Sequence, residues 1–213
     1  MSNVEEFLSL VLQNSNQDGN SFPSYKLKGI SLNGVTLVYS VLTETDLDES
    51  ELIDINFSQY NLKKTTFRKA KIKDVDFSSA DLKEADFEEA TLVNCNFENA
   101  VIEHGNLASV KATNCNFRGC SLNFANLYSA QFQGCNFSFA KLMYGNLKQV
   151  MISKSMLTGS NARGSDFSFS NLTEVEFKGA MLKYADFNSC TLKGVDLSNS
   201  NMLSFISFFS NIQ

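Results

Sequence analysis

One feature constrains this chain above all others: a column of large apolar residues spaced five apart. In DFSSADLKEADFEEATLVNCNF, residues Phe77, Leu82, Phe87, Leu92 and Phe97 take every fifth position. A helix repeats every 3.6 residues and a strand every two, so neither presents such a column on one face. The frame runs from Phe22 to Met202 without an insertion. It holds 37 consecutive positions: nineteen Leu, twelve Phe, three Ile and one Met, with Ala112 and Ala162 as the exceptions. A second, mostly small column lies two residues before each of these centres. It includes Ala70, Ala80, Ala85, Ala90, Gly105, Ala125 and Ala130, and all five cysteines, Cys95, Cys115, Cys120, Cys135 and Cys190. Two residues in five therefore face a common interior and three face out. A chain that turns a corner every five residues meets that demand.

Like residues recur every 20. Phe57, Phe77, Phe97, Phe117 and Phe137 do so, as do Cys95, Cys115 and Cys135. This period fits four five-residue sides per coil. Just before the centres, Asp76, Asp86, Asn96, Asn106, Asn116, Asn126, Asn136 and Asn146 recur every ten, on two opposite sides. Short polar side chains suit tight turns because they hydrogen-bond nearby backbone. Four sides per coil give about nine coils, stacked at roughly the 4.8 Å strand spacing.

The units ADLKE, ADFEE, CNFEN, GNLAS, CNFRG, ANLYS, CNFSF, GNLKQ and ADFNS resemble the A(D/N)LXX motif of the pentapeptide-repeat family, over residues 20–204. The resemblance implies an all-β fold, a right-handed quadrilateral parallel β-helix. Before Phe57 the units YKLKG, ISLNG, VTLVY and SVLTE keep the frame but not the letters, so irregular early corners are expected. Residues 1–19 read as a capping helix and linker, 20–204 as the β-helix, and 205–213 as a C-terminal cap. Val4, Phe7, Leu8, Val11 and Leu12 have helical spacing. They predict a helix over 3–14 that covers the first coil, N-capped by Ser2 or Asn3. At the other end Ser207 falls in a centre slot, and Met202, Phe205, Ile206 and Phe209 have helical spacing. This tail reads as a lid or as a dimer contact. Quinolone-resistance members of the family dimerise through C-terminal segments, so the expected state is a monomer or a C-terminally mediated homodimer.

Composition narrows the function. A formal charge of -5 and a pI near 5.0 argue against direct nucleic-acid binding. The N-terminus lacks a basic region ahead of an apolar run, so no secretory signal is expected. No run of about 20 apolar residues predicts a membrane span. Cysteines in such a chain are expected to be cytoplasmic thiols, and their place in the small column marks them as buried hydrophobes. The chain carries no GxSxG, P-loop, HExxH or Gly-rich phosphate loop. Its one histidine, His104, sits at an outward position beside Glu103. Neither an enzyme nor a cofactor or metal is expected, and the function is assigned to the surface.

Two surface features stand out. Residues 1–106 contain 18 acidic and 9 basic residues, and residues 107–213 contain 5 and 9. The family resemblance raises one reading of this polarity, since gyrase-binding members mimic duplex DNA with an acidic rod. However, Asp48, Arg68 and Glu88 share a column, as do Glu49, Lys69 and Glu89, and Glu44, Lys64 and Glu84. Opposite charges on adjacent strands support one another. Asp54 and Asp74 are left as the candidate acidic surface. The second feature is aromatic. Phe124, Tyr144 and Tyr184 share an outward column with Gly164 between the last two, and Met143 adjoins Tyr144. These four residues form the candidate partner surface; Tyr128, Phe139 and Phe169 point out on other sides. The sequence favours a non-enzymatic binding or scaffold protein with an unknown protein partner, in overall form similar to cyanobacterial-type members of the family. The alternative is a DNA-mimicking modulator of DNA gyrase or topoisomerase.

Overall fold

The computed structural model describes residues 4, 5, 7, 24–34, 42–203, 211 and 212. From Ile30 to Leu192 each described five-residue unit buries its centre and the residue two before it, as the frame requires, whereas Leu197 is only half-buried and Met202 is exposed. Leu27, Leu52, Phe67, Phe77, Phe97 and Ala100 are all fully buried. The residue two after the centre adopts a left-handed backbone, with φ near +58° at Glu84, for example. On three of the four sides the N–H three residues after the centre donates to the centre's carbonyl, as in Ala80 to Phe77 and Ala85 to Leu82, both at 3.0 Å. A closed turn with a left-handed third residue is the type II pattern.

The first side differs. There the chain forms short strands, and among the described residues no such bond closes the corner after the centre. The strands are β1 (Ser31–Asn33), β2 (Glu51–Ile53), β3 (Lys71–Lys73), β4 (Thr91–Val93), β5 (Lys111–Thr113), β6 (Gln131–Gln133), β7 (Met151–Met156), β8 (Asn171–Glu176), β9 (Thr191–Lys193) and β10 (Asn211–Ile212). They make one parallel sheet in sequence order. β1 to β9 span eight turns, each pairing residues 20 apart, from Leu32 on Leu52 to Leu172 on Leu192. The other three sides carry columns of parallel bridges with the same spacing. The second side runs through Asn56, Asp76, Asn96 and Asn116; the third through Asn61, Asp81, Val101 and Ser121; the fourth through Thr66, Asp86, Asn106 and Asn126. The fold is thus a four-sided parallel β-helix.

Stacking in register converts like letters into ladders. On the second side Phe77, Phe97, Phe117 and Phe137 stack at 4.6–4.8 Å between ring centroids, with planes within 9°. Phe87 on the opposite side meets Phe77 and Phe97 edge-on at 6.1 and 5.9 Å. Both arrangements suit the aromatic quadrupole. Outside, Asn96 donates to Asp76 at 3.0 Å and Asn116 to Asn96 at 3.1 Å. The same oxygens accept from the Ser78 and Glu98 backbones. One amide side chain thereby serves both the turn and the coil stack.

The five cysteines are buried free thiols. Cys95 donates to the Ile72 carbonyl and Cys190 to that of Phe167. Cys115, between the Cys135 and Cys95 thiols, is pushed up in pKa by both neighbours and by burial.

One expectation is corrected, and two fall largely outside the described residues. The early coils are regular where described: Leu27, Leu42 and Leu47 are buried and their turns are closed. Of the expected N-terminal helix only Val4, Glu5 and Phe7 are described, with Phe7 buried against the core; the rest of the helix lies outside the described residues. At the other end the helical spacing falls largely on 204–210, also outside them. Asn211 and Ile212, however, form a strand that pairs with Thr191 and Leu192. Asn211 and Ile212 therefore stand 20 residues after their partners, in the register of the other coils, and add a strand to the sheet.

Candidate partner interface

The outward corner residue is the one held at positive φ. Glycine and asparagine fit that backbone readily, whereas bulky side chains are outliers there. Among the described residues 27 non-glycine corners have positive φ, and five are Phe or Tyr: Phe124, Phe139, Tyr144, Phe169 and Tyr184. All five lie in the C-terminal half and are about half exposed, from 47% at Tyr184 to 56% at Phe139 and Phe169. Three of them line the corner after the third side.

At that corner three rings stack in succession. His104 lies on Phe124 at 5.0 Å with planes 5° apart, and Phe124 lies on Tyr144 at 5.5 Å and 14°. Gly164 comes next. A Cβ there would sit 2.7 Å from Cδ1 and Cε1 of Tyr144, so the tyrosine ring covers the glycine. Tyr184 resumes the column. Its ring carries the Lys183 ammonium at 4.8 Å and the Arg163 guanidinium at 5.6 Å. Phe139 marks the other edge of the third side and covers Gly159 in the same manner. Between the two edges lie Lys141, half-buried Met143, Arg163, Met181 and Lys183.

The charges change along this side. Between residues 61 and 103 they are paired: Lys63 with Asp81, Lys64 with Glu84, and Lys83 with Glu103. Glu103 also accepts from Ser121 at 2.8 Å. Between residues 121 and 203 the third side carries Lys141, Arg163 and Lys183 and no carboxylate. Among the described residues none of these three cations has an ion-pair partner; the eight ion pairs all involve other basic residues.

A family model described as pentapeptide repeat region matches residues 30–107, 107–187 and 130–205. The chain belongs to the pentapeptide-repeat family. No curated protein sequence matches it. Among solved structures it is similar to HetL, a pentapeptide repeat protein involved in heterocyst differentiation regulation from the cyanobacterium Nostoc. That match has 20% identity, covers 97% of each chain and has a TM-score of 0.48. It is also similar to QnrB1, a plasmid-mediated fluoroquinolone resistance protein, at 18% identity over 89% of this chain and 90% of that one, with a TM-score of 0.47. A thylakoid-lumen pentapeptide repeat protein from Arabidopsis thaliana matches at 22% identity over 59% of this chain and 66% of that one, with a TM-score of 0.21.

In this pentapeptide-repeat protein Phe124, Tyr144 and Tyr184 lie in one column with Met143 beside them, as their spacing requires. The acidic candidates are less uniform. Asp54 and Asp74 are both exposed, at open corners of the first side. Asp74 accepts from Asn94 at 2.9 Å and lies 3.7 Å from Lys73, so it has two partners outside its own acidic pair. Lys64–Glu84 and Lys69–Glu89 form as their columns suggest, both at 3.9 Å. Arg68 instead reaches diagonally to Asp86 at 2.6 Å and bypasses Glu88. His104 and the cations Lys141, Arg163 and Lys183 complete the surface and were missed from sequence. The signal for His104 was available: it stands 20 residues before Phe124.

Proposed function

We propose that this pentapeptide-repeat protein is a non-enzymatic binding module of the cytoplasm, and that it meets a protein partner through the C-terminal half of its third side. The observation that carries this reading is the placement of Phe124, Tyr144 and Tyr184 at left-handed corners. Each spends conformational energy of order 1 kcal/mol at a position where glycine or asparagine would close the turn better. Strained residues concentrate where function over-determines them, and contiguous exposed apolar surface marks interaction sites. Retained protein from a cell extract is captured on the wild type and on Phe124→Ser/Tyr144→Ser, identified, purified and titrated calorimetrically. Loss of binding in the double variant, with unchanged melting, supports the assignment. Equal binding by both removes it.

The acidic half gives less support to DNA mimicry, because much of its charge is paired internally. A gyrase supercoiling assay with and without a quinolone is expected to show no effect of the protein. Inhibition or quinolone protection would replace the binding-module reading with the topoisomerase one, and Asp54 and Asp74 would be the first residues to mutate.

A further inference from the structure

We infer that the third side between Leu122 and Met202 docks a carboxylate-rich segment of the partner protein; this rests on the binding-module reading and adds the chemistry of the partner. Three observations converge. Lys141, Arg163 and Lys183 face out with no carboxylate on that side and no ion-pair partner among the described residues. Arg163 and Lys183 occupy the same position on adjacent coils, about 4.8 Å apart along the backbone. Like charges directly opposite on neighbouring strands repel. The Tyr184 ring relieves them in part by lying against both, but an anion would relieve them fully. Further toward the N-terminus the same side neutralises its lysines with Asp81, Glu84 and Glu103. The C-terminal coils leave their neutralisation to another molecule.

The aromatic column selects among anions. His104, Phe124 and Tyr144 are stacked on one another, so much of their π-faces is already occupied. Single-stranded nucleic acid binds by laying bases on open aromatic faces, and this stack closes such faces. What it leaves outward are ring edges, and the edge of the aromatic quadrupole is positive. Positive edges beside ammonium and guanidinium groups suit carboxylates, which are compact and need no open ring face. Met143, Met181 and Leu203 supply apolar contacts for the backbone and methylenes between the acidic side chains.

The test is fluorescence anisotropy with labelled decaglutamate, run beside decalysine and an oligothymidylate of equal length. Wild-type protein is expected to bind decaglutamate saturably. Affinity should fall about tenfold in Arg163→Glu/Lys183→Glu and by a smaller factor in Arg163→Ser/Lys183→Ser. It should also fall with added salt. Lys111→Glu/Lys193→Glu, on the first side, should bind as wild type does. All variants are melted in parallel to confirm the fold. Absence of decaglutamate binding, equal loss in the first-side variant, or tighter binding of oligothymidylate each overturns the assignment. So does self-association that Arg163→Glu/Lys183→Glu abolishes, since the occupant would then be the acidic half of a second copy. If decaglutamate fails while the captured partner still depends on Phe124 and Tyr144, the binding module stands and its acidic partner chemistry falls. If both fail, both fall.

Discussion

Replacement of Phe97 measures how much the interior ladder contributes. The ring is fully buried. It stacks on Phe77 at 4.7 Å and on Phe117 at 4.8 Å, and meets Phe87 edge-on at 5.9 Å. Phe97→Ala removes a buried ring from a site whose neighbours are fixed by the coils above and below. Phe-to-Ala changes in cores cost about 3–5 kcal/mol, and the three ring contacts place this site at about 4–5 kcal/mol. Phe97→Leu keeps the ladder apolar, as Leu157 does between Phe137 and Phe177, and should cost about 1–1.5 kcal/mol. Phe97→Asp buries a carboxylate with no partner in reach and should abolish the cooperative transition. Urea unfolding followed by circular dichroism gives the three values. Solenoids unfold by neighbour terms, so the slope is compared across variants before free energies are assigned. A Phe97→Ala loss below about 1 kcal/mol, or a normal transition for Phe97→Asp, would refute the inward frame.

The left-handed corner makes two further predictions. Gly164→Ala places a Cβ at φ +68° and 2.7 Å from the Tyr144 ring. It should destabilise by about 1–2 kcal/mol and shift the Tyr144 fluorescence. Phe169→Asn, at φ +62° with the ring 56% exposed, should instead stabilise by about 0.5 kcal/mol, because asparagine tolerates that backbone; a fall in melting temperature would contradict the strain assignment. The thiols give a pH prediction. Burial pushes the Cys190 thiol up to about 11 from 9.0 and raises Cys120 as well. The unfolded chain releases these protons near pH 9 and the folded chain only at higher pH. Stability is therefore full below pH 9 and falls as pH rises through 11, and Cys190→Ala should flatten part of that fall in urea titrations. Thiol counting should find five free groups on denaturation and few in the native protein.

The fold was legible because it depends on letters that recur. Every centre from Leu42 to Leu192 that the frame marked is buried, since one apolar residue in five has no other way to leave water. The Cys95, Cys115 and Cys135 column was legible for the same reason. Other features depend on which neighbour a long side chain reaches, and spacing says little about that. Arg68 chooses Asp86 because the diagonal lets its guanidinium donate directly, while its own backbone N–H already binds Asp48. The open first-side corner holding Asp54 and Asp74 does differ in its letters, with Ile55, Val75, Cys95 and Cys115 where Ala80, Ala85 and Ala90 follow closed corners, but the five-residue frame treats all sides alike. In the tail Ser207 interrupts the column of apolar letters, so the return of Asn211 and Ile212 to the frame one side later was not read. Reading His104 as a lone histidine missed its place in the stack, because Phe124 stands a full coil away.

The 20-residue coil also changes what a recognition motif is for such a chain. Many neighbours on the surface are not neighbours in the text: Tyr144 touches Phe124 and covers Gly164, each 20 residues away. A partner lying along the axis reads one letter per coil and skips the rest. Its binding signature is written vertically, in every twentieth residue, and is scattered when the chain is scanned from left to right. Substitutions that look dispersed along this sequence can rewrite a single word on its surface while leaving the inward alphabet, and so the coil, untouched.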